Sequence, residues 1–169
     1  MKRTVWLWEL IGFAITSVFG TLLHFLYEWC GESVWVAPFS GVNESTWEHM
    51  KLLFWPAFIF AIIQSFFFRG CPNFWCAKLR GTLLGLVLIP ALFYTYNGAV
   101  ARSPDWLNIA IFFISAAAAY IYEARLLRSD RPRCKAPTAS FLALCAVGVL
   151  FTVFTFLPPK LGIFIDPVA

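Results

Sequence analysis

The sequence predicts an all-α integral membrane bundle of five transmembrane helices, with the N-terminus cytoplasmic and the C-terminus external. Three observations carry this expectation. Of 169 residues, 60% are hydrophobic and only 13% charged, against about 45–50% and about 25% in soluble domains, and a chain this small cannot bury such an excess in water. The apolar residues fall into five runs, each close to the roughly 20 residues a helix needs to cross a bilayer. Finally, Lys and Arg alternate between the joining loops as the positive-inside rule requires.

The first run, residues 5–29, follows Lys2 and Arg3 as a secretory signal would. Its apolar stretch is too long for a signal core and no small-x-small site follows, so it reads as a retained anchor helix. Trp6 and Trp8 at one end and Trp29 at the other suit the interfacial aromatic belts. The second run, 47–68, opens behind Ser45-Thr46-Trp47-Glu48, a capping box with Ser at the N-cap and Glu at N3. Pro56 lies inside it and Pro90 inside the third run, 78–96; each removes a backbone hydrogen bond and predicts a kink. Gly81 and Gly85 on the third run, and the alanines 116–119 on the fourth (106–127), are small surfaces suited to close helix approach. The fifth run, 139–157, turns Cys145, Gly148, Thr152 and Thr155 to one inward face. The breaks are polar or rich in Gly and Pro. With no internal repeat and no soluble segment, residues 1–169 read as one domain.

Orientation follows from the basic residues. Lys2, Arg3, Arg69, Lys78, Arg80, Arg125, Arg128, Arg131, Arg133 and Lys135 flank one side, ten in all, against Lys51, Arg102 and Lys160 on the other. The loop carrying residues 30–49 is then external. The basic residues form no aromatic-studded stripe, so a nucleic-acid partner is not expected; the lipid bilayer is. Five cysteines, an odd number without regular spacing, predict reduced thiols and no disulfide framework.

The polar residues of the first helix are not scattered. At about 100° per residue, Glu9, Thr16, Ser17, Gly20, His24, Tyr27 and Glu28 share a face of roughly 120°. Such a stripe must face other helices or a wet cavity, which predicts a central helix. One turn into the external side, His24 and Glu28 lie near Glu44, Glu48 and His49 of the second helix, with Tyr94 and Asn97 arriving from the third. Two imidazoles and several carboxylates are the donors of zinc or another divalent metal. The expected ligands are His24, Glu28 and His49, with Glu44 or Glu48 as general base and Tyr27, Asn43, Ser45, Trp47 and Lys51 in support. The competing reading is structural: Glu48 caps the helix, Glu44 and Glu48 suit its dipole, and Lys51 pairs with Glu48 at i+3 or snorkels to the headgroups. At the cytoplasmic side, Glu9 and Glu123 are expected to pair with basic neighbours on their own helices, Lys2 or Arg3 and Arg125 or Arg128. Alternatively they join Gln64 in an ion route.

"LYEWCGESVW" followed by "NESTWEHMKLLFWP" resembles a family of small bacterial multi-pass membrane proteins of unknown function, and the resemblance covers most of the chain. Its most specific part is the run Asn43, Glu44, Ser45, Trp47, Glu48, His49, Lys51. The resemblance implies a protein of the bacterial cytoplasmic membrane and brings no assigned reaction. Three function classes follow from the residues: a metal-assisted hydrolase acting on a lipid or small amphiphile; an ion- or proton-coupled transporter or channel; and an accessory subunit, homo-oligomeric or docked on another membrane protein through Trp35, Phe39 and Trp47.

Overall fold

The computed structural model describes residues 2–99, 105–129 and 134–166; Arg102, Arg131 and Arg133 lie outside the described residues, as do the side chains of Lys2 and Arg3. Five helices follow in order: α1 (Lys2–Trp29), α2 (Thr46–Ser65), α3 (Phe74–Ala99), α4 (Asp105–Arg128) and α5 (Pro137–Phe156), then a single 3-10 turn, Gly162–Phe164. No strand occurs among the described residues. The helices alternate in direction. One end of the bundle gathers the α1–α2 loop and the chain after α5 and is called here the histidine end. The other gathers the α2–α3 and α4–α5 connections and is called the lysine end.

Four helices, α1, α3, α4 and α5, are long and apolar enough to cross a membrane; α2 is not among them. Its Glu48, Lys51 and Gln64 are buried, and it packs against α1, α3, α4, α5 and the 3-10 turn. The central helix is therefore α2 rather than α1, because it alone packs against all four other helices, while Ile59, Ile62 and Ile63 stay exposed on its one open side. The outer surface is what a bilayer requires. Leu7, Leu10, Val18 and Phe19 of α1 are all more than half exposed, a density of bare apolar surface that water would not tolerate. Inside, Phe54 of α2 stacks on Phe58 (centroids 5.4 Å) and meets Phe151 of α5 (5.2 Å).

The α3–α4 contact is closest where the small residues were expected to meet. A Cβ on Gly81 would overlap Glu123 Cγ, whereas one on Gly85 would lie 3.2 Å from Ala119 Cβ. Both prolines lie within unbroken helices. Pro56 has no N–H for the Leu52 carbonyl, and that oxygen faces α1: a Cβ on Gly20 would sit 3.0 Å from it.

Three expectations need correction at the lysine end. The third helix begins at Phe74, four residues before the predicted 78, so Lys78 is not a headgroup-facing loop residue. It is 2% exposed and binds Glu9 (2.9 Å) and Glu123 (2.6 Å). Glu9 and Glu123 therefore pair across helices rather than with basic neighbours on their own. Finally, Cys76 and Cys134 form a disulfide across 58 residues, with Cα atoms 5.9 Å apart; a pairing at that separation leaves no spacing signature. Cys71 stays free.

The α3–α4 geometry predicts that Gly81→Ala destabilises the bundle by about 1–3 kcal/mol through overpacking. Gly85→Ala, whose Cβ would meet Ala119 Cβ at 3.2 Å and Ser115 O at 3.3 Å, tight but without overlap, should cost less. Thermal unfolding of the two variants in detergent reads the difference.

Candidate metal centre

At the histidine end the backbone is set first. Gly31, at φ 62°, closes α1: Glu32 N–H donates to Tyr27 O (2.9 Å) and Gly31 N–H to Glu28 O (3.0 Å). This pair of bonds is a Schellman motif, which satisfies the last carbonyls of a helix. The loop then folds back along the bundle. Ser40 Oγ donates to Leu23 O (2.5 Å) and accepts from Tyr27 N–H (2.9 Å), bridging the two ends of one α1 turn. Two α2 side chains reach out to hold the loop: Lys51 Nζ donates to Ala37 O (2.7 Å) and Trp55 Nε1 to Pro38 O (2.8 Å).

The N-terminus of α2 is capped by Ser45, whose hydroxyl accepts from Glu48 N–H (3.4 Å). The other arm of the capping box goes elsewhere. Glu48 Oε2 accepts from Val42 N–H (2.9 Å) and pairs with Lys51 Nζ (2.6 Å). Lys51, 0% exposed, also donates to Thr155 Oγ1 (2.9 Å) of α5. Glu48 and Lys51 thus form the i+3 pair expected from sequence, but buried; Lys51 does not snorkel. Their geometry is that of a structural lock among α2, α5 and the loop.

With the loop so held, Glu44 comes between the two histidines. His24 Nε2 lies 3.5 Å from Glu44 Oε1, and His49 Nε2 lies 3.6 Å from Glu44 Oε2. One ligand atom from each of the three falls within 4.8 Å of the others, a spacing at which three such groups among the described residues could hold a metal ion. The rings of His24 and His49 are 5.6 Å apart. His49 Nδ1 lies 2.9 Å from Ser45 O. A carbonyl can only accept, so Nδ1 carries the proton and donates. For a neutral ring this leaves the Nε2 lone pair aimed toward the carboxylate. The same tautomer is fixed in metal-ligating histidines by a second hydrogen bond. Metal–ligand distances of about 2.1 Å imply a tetrahedron edge of about 3.4 Å, near both observed separations.

Glu28, expected as a ligand, is exposed and outside this trio. Glu44, expected as base, is the carboxylate that stands between the two histidines. Glu48, the other expected base, is engaged by Lys51. Of the supporting residues, Asn43 Oδ1 accepts from Ser45 N–H (3.0 Å), and Tyr94 OH meets Thr46 Oγ1 (3.3 Å). Trp47 packs on Phe164 (4.6 Å). Asn97 donates within its own helix to Phe93 O (2.9 Å), while Tyr27 contributes its backbone to the loop contacts above.

Below the trio opens a cavity of ≈ 520 Å³, with His24, Glu44 and His49 in its wall and mostly apolar side chains beneath, among them Phe93 and Phe112. Phe25 and Ile109, which also line it, are 42% and 58% exposed on the bundle's side. Two groups at the site carry no signal in the sequence. Asn108 of α4 lines the cavity with a buried, unpartnered Oδ1. Asp166, from beyond α5, accepts the Glu44 N–H at 3.3 Å.

The division between lock and site is testable by stability. Glu48→Gln strands the buried Lys51 ammonium and should cost about 3–5 kcal/mol. Glu44→Gln, at a half-exposed position, should stay within about 0.5 kcal/mol. Denaturation in detergent, monitored by helical circular dichroism, compares them.

No curated protein and no solved structure matches the chain. A family model does match, over residues 2–169, and the chain belongs to the family of unknown function DUF6512.

Proposed function

We propose that this protein is a multi-pass membrane metalloenzyme, a metal-assisted hydrolase whose substrate is a lipid or small amphiphile. The observation that carries this reading is the His24–Glu44–His49 trio set at the head of a mostly apolar ≈ 520 Å³ cavity. Two imidazoles and one carboxylate leave a zinc-type ion one coordination position for water or substrate. A bound ion of this kind lowers the pKa of water toward neutrality and polarises a carbonyl. The chain supplies the rest. His49 is oriented through Ser45 O, Glu44 is steadied through its N–H by Asp166, and the cavity accommodates an apolar tail with its scissile group at the trio. Asn108 offers a hydrogen-bonding group in the cavity wall. With Glu48 engaged by Lys51 and Glu44 in the trio, neither expected base is left to activate the water, and no other is assigned.

In this reading α2 completes five spans, packed against the other four helices and meeting lipid at Ile59, Ile62 and Ile63. The bacterial cytoplasmic membrane is its location. The histidine end faces outward, because burial of Lys51 and Lys78 still leaves nine basic residues against two in the flanks. The Cys76–Cys134 disulfide then lies on the cytoplasmic side, where such bonds are rare, and is the observation that weighs against this orientation. Labelling of unpaired cysteines in intact cells, with permeant and impermeant reagents, tests the orientation through Cys30 at the histidine end and Cys71 at the lysine end.

Purified protein should carry close to one zinc or other divalent transition metal per chain by elemental analysis. His24→Ala, His49→Ala and Glu44→Ala should lose it while staying folded, and Glu28→Ala should keep it. A folded wild-type protein that stays metal-free after supplementation would overturn the reading.

A further inference from the structure

The lysine end holds a second polar centre, separate from the trio and unused by the chemistry above. Four helices meet in it. Glu9 of α1 receives Gln64 Nε2 of α2 at 2.9 Å on Oε1, and Lys78 Nζ of α3 at 3.0 and 2.9 Å on its two oxygens. Glu123 of α4 receives the same ammonium at 2.6 Å. Lys78 is further enclosed by the rings of Phe60, Phe74 and Tyr120, at 6.0, 5.7 and 5.4 Å. Tyr120 OH is hydrogen-bonded to Thr16 Oγ1 (2.6 Å). Arg128, toward the end of α4, lies over the Trp6 ring instead (5.6 Å).

Two features of this centre do not balance. Among the described residues the two carboxylates share one ammonium, so the fully ionised cluster carries one net negative charge, with every member at least 96% buried. An uncompensated charge in a desolvated interior is strongly unfavourable, and more so at membrane depth. Independently, Gln64 is 0% exposed, its Nε2 is engaged with Glu9, and its Oε1 has no donor. The missing positive charge has one remedy within the cluster itself, a proton on one of the two carboxylates.

We propose that Glu9, Glu123 and Lys78 form a one-proton binding site, in which the two carboxylates hold a single proton beside the lysine. Thr16 and Gly20 continue the same face of α1 from this centre toward the cavity. The centre therefore gives the bundle an exchangeable proton on the far side from the trio.

Infrared spectroscopy of the full chain in detergent or vesicles near neutral pH counts protonated carboxyls directly. The wild type should show a protonated-carboxyl carbonyl band that shifts in D₂O, and Glu123→Gln should abolish it. If that variant fails to fold by circular dichroism and gel filtration, Glu9→Gln serves the same purpose. Lys78→Met, which removes the compensating charge, should raise the band about two-fold by the same neutrality argument. The double variant Lys78→Met/Glu123→Gln should return it to the wild-type intensity. Absence of the band in the wild type, or its persistence in both folded glutamine variants, would overturn the proposal. None of these outcomes depends on whether metal binds at the histidine end.

Discussion

The bundle depends on one ammonium group. Lys78 Nζ is reached by carboxylates from α1 and α4, and through Glu9 by the Gln64 amide of α2. Four helices that offer lipid mainly apolar surface have little reason to associate in one register, since hydrocarbon and leucine are interchangeable solvents for one another. A buried charge removes that freedom. Lys78 can be accommodated only where Glu9 and Glu123 both face it, and this fixes the rotation of α1 and α4 about α3. Gly81 follows from the same requirement, because Glu123 reaches Lys78 by crossing the place where a side chain would otherwise stand.

At the histidine end a second lysine does the corresponding work on the loop. Lys51 binds Ala37 O, Glu48 and Thr155 together, so the α1–α2 connection is drawn against α2 and α5. This placement delivers Glu44 between His24 and His49, which no helix contact alone would do. The two locks differ in what they leave over. Lys51 and Glu48 are matched one to one, whereas Lys78 faces two carboxylates. The matched pair is structural, and the unmatched one has a proton to account for.

The central position of α2 explains why the polar groups of this chain collect where they do. A helix packed against four others meets the apolar demand of lipid only on its open side, at Ile59, Ile62 and Ile63, and can carry Glu48, Lys51 and Gln64 on its buried faces provided each finds a partner. Pro56 adds to this. The carbonyl it leaves without an intrahelical donor lies against Gly20, and both Gly20 and Leu52 line the cavity. The cavity is thus built where α2 departs from regular hydrogen bonding and α1 has no side chain.

Much of this was determined by the sequence alone. Five apolar runs, their loops and the all-α class follow from the length and hydrophobicity of segments, because a helix that satisfies its own backbone can be recognised without knowing its neighbours. The Ser45 cap and the Glu48–Lys51 pair were legible for the same reason: both are local, within one turn. His24 and His49 could be singled out as a pair worth joining, since they are the only histidines and flank one loop. What the tertiary structure decided is every choice among carboxylates. In sequence Glu28 reads as a ligand and Glu44 as a base; the Schellman turn leaves Glu28 outside the trio, and the loop held by Lys51 brings Glu44, itself half exposed, between the histidines. Glu9, Lys78 and Glu123 are separated by 69 and 45 residues along their contacts, and Cys76 and Cys134 by 58. Pairings at such distances leave no periodicity or spacing to read. They exist because helices of fixed length, packed side by side, bring remote residues to the same depth.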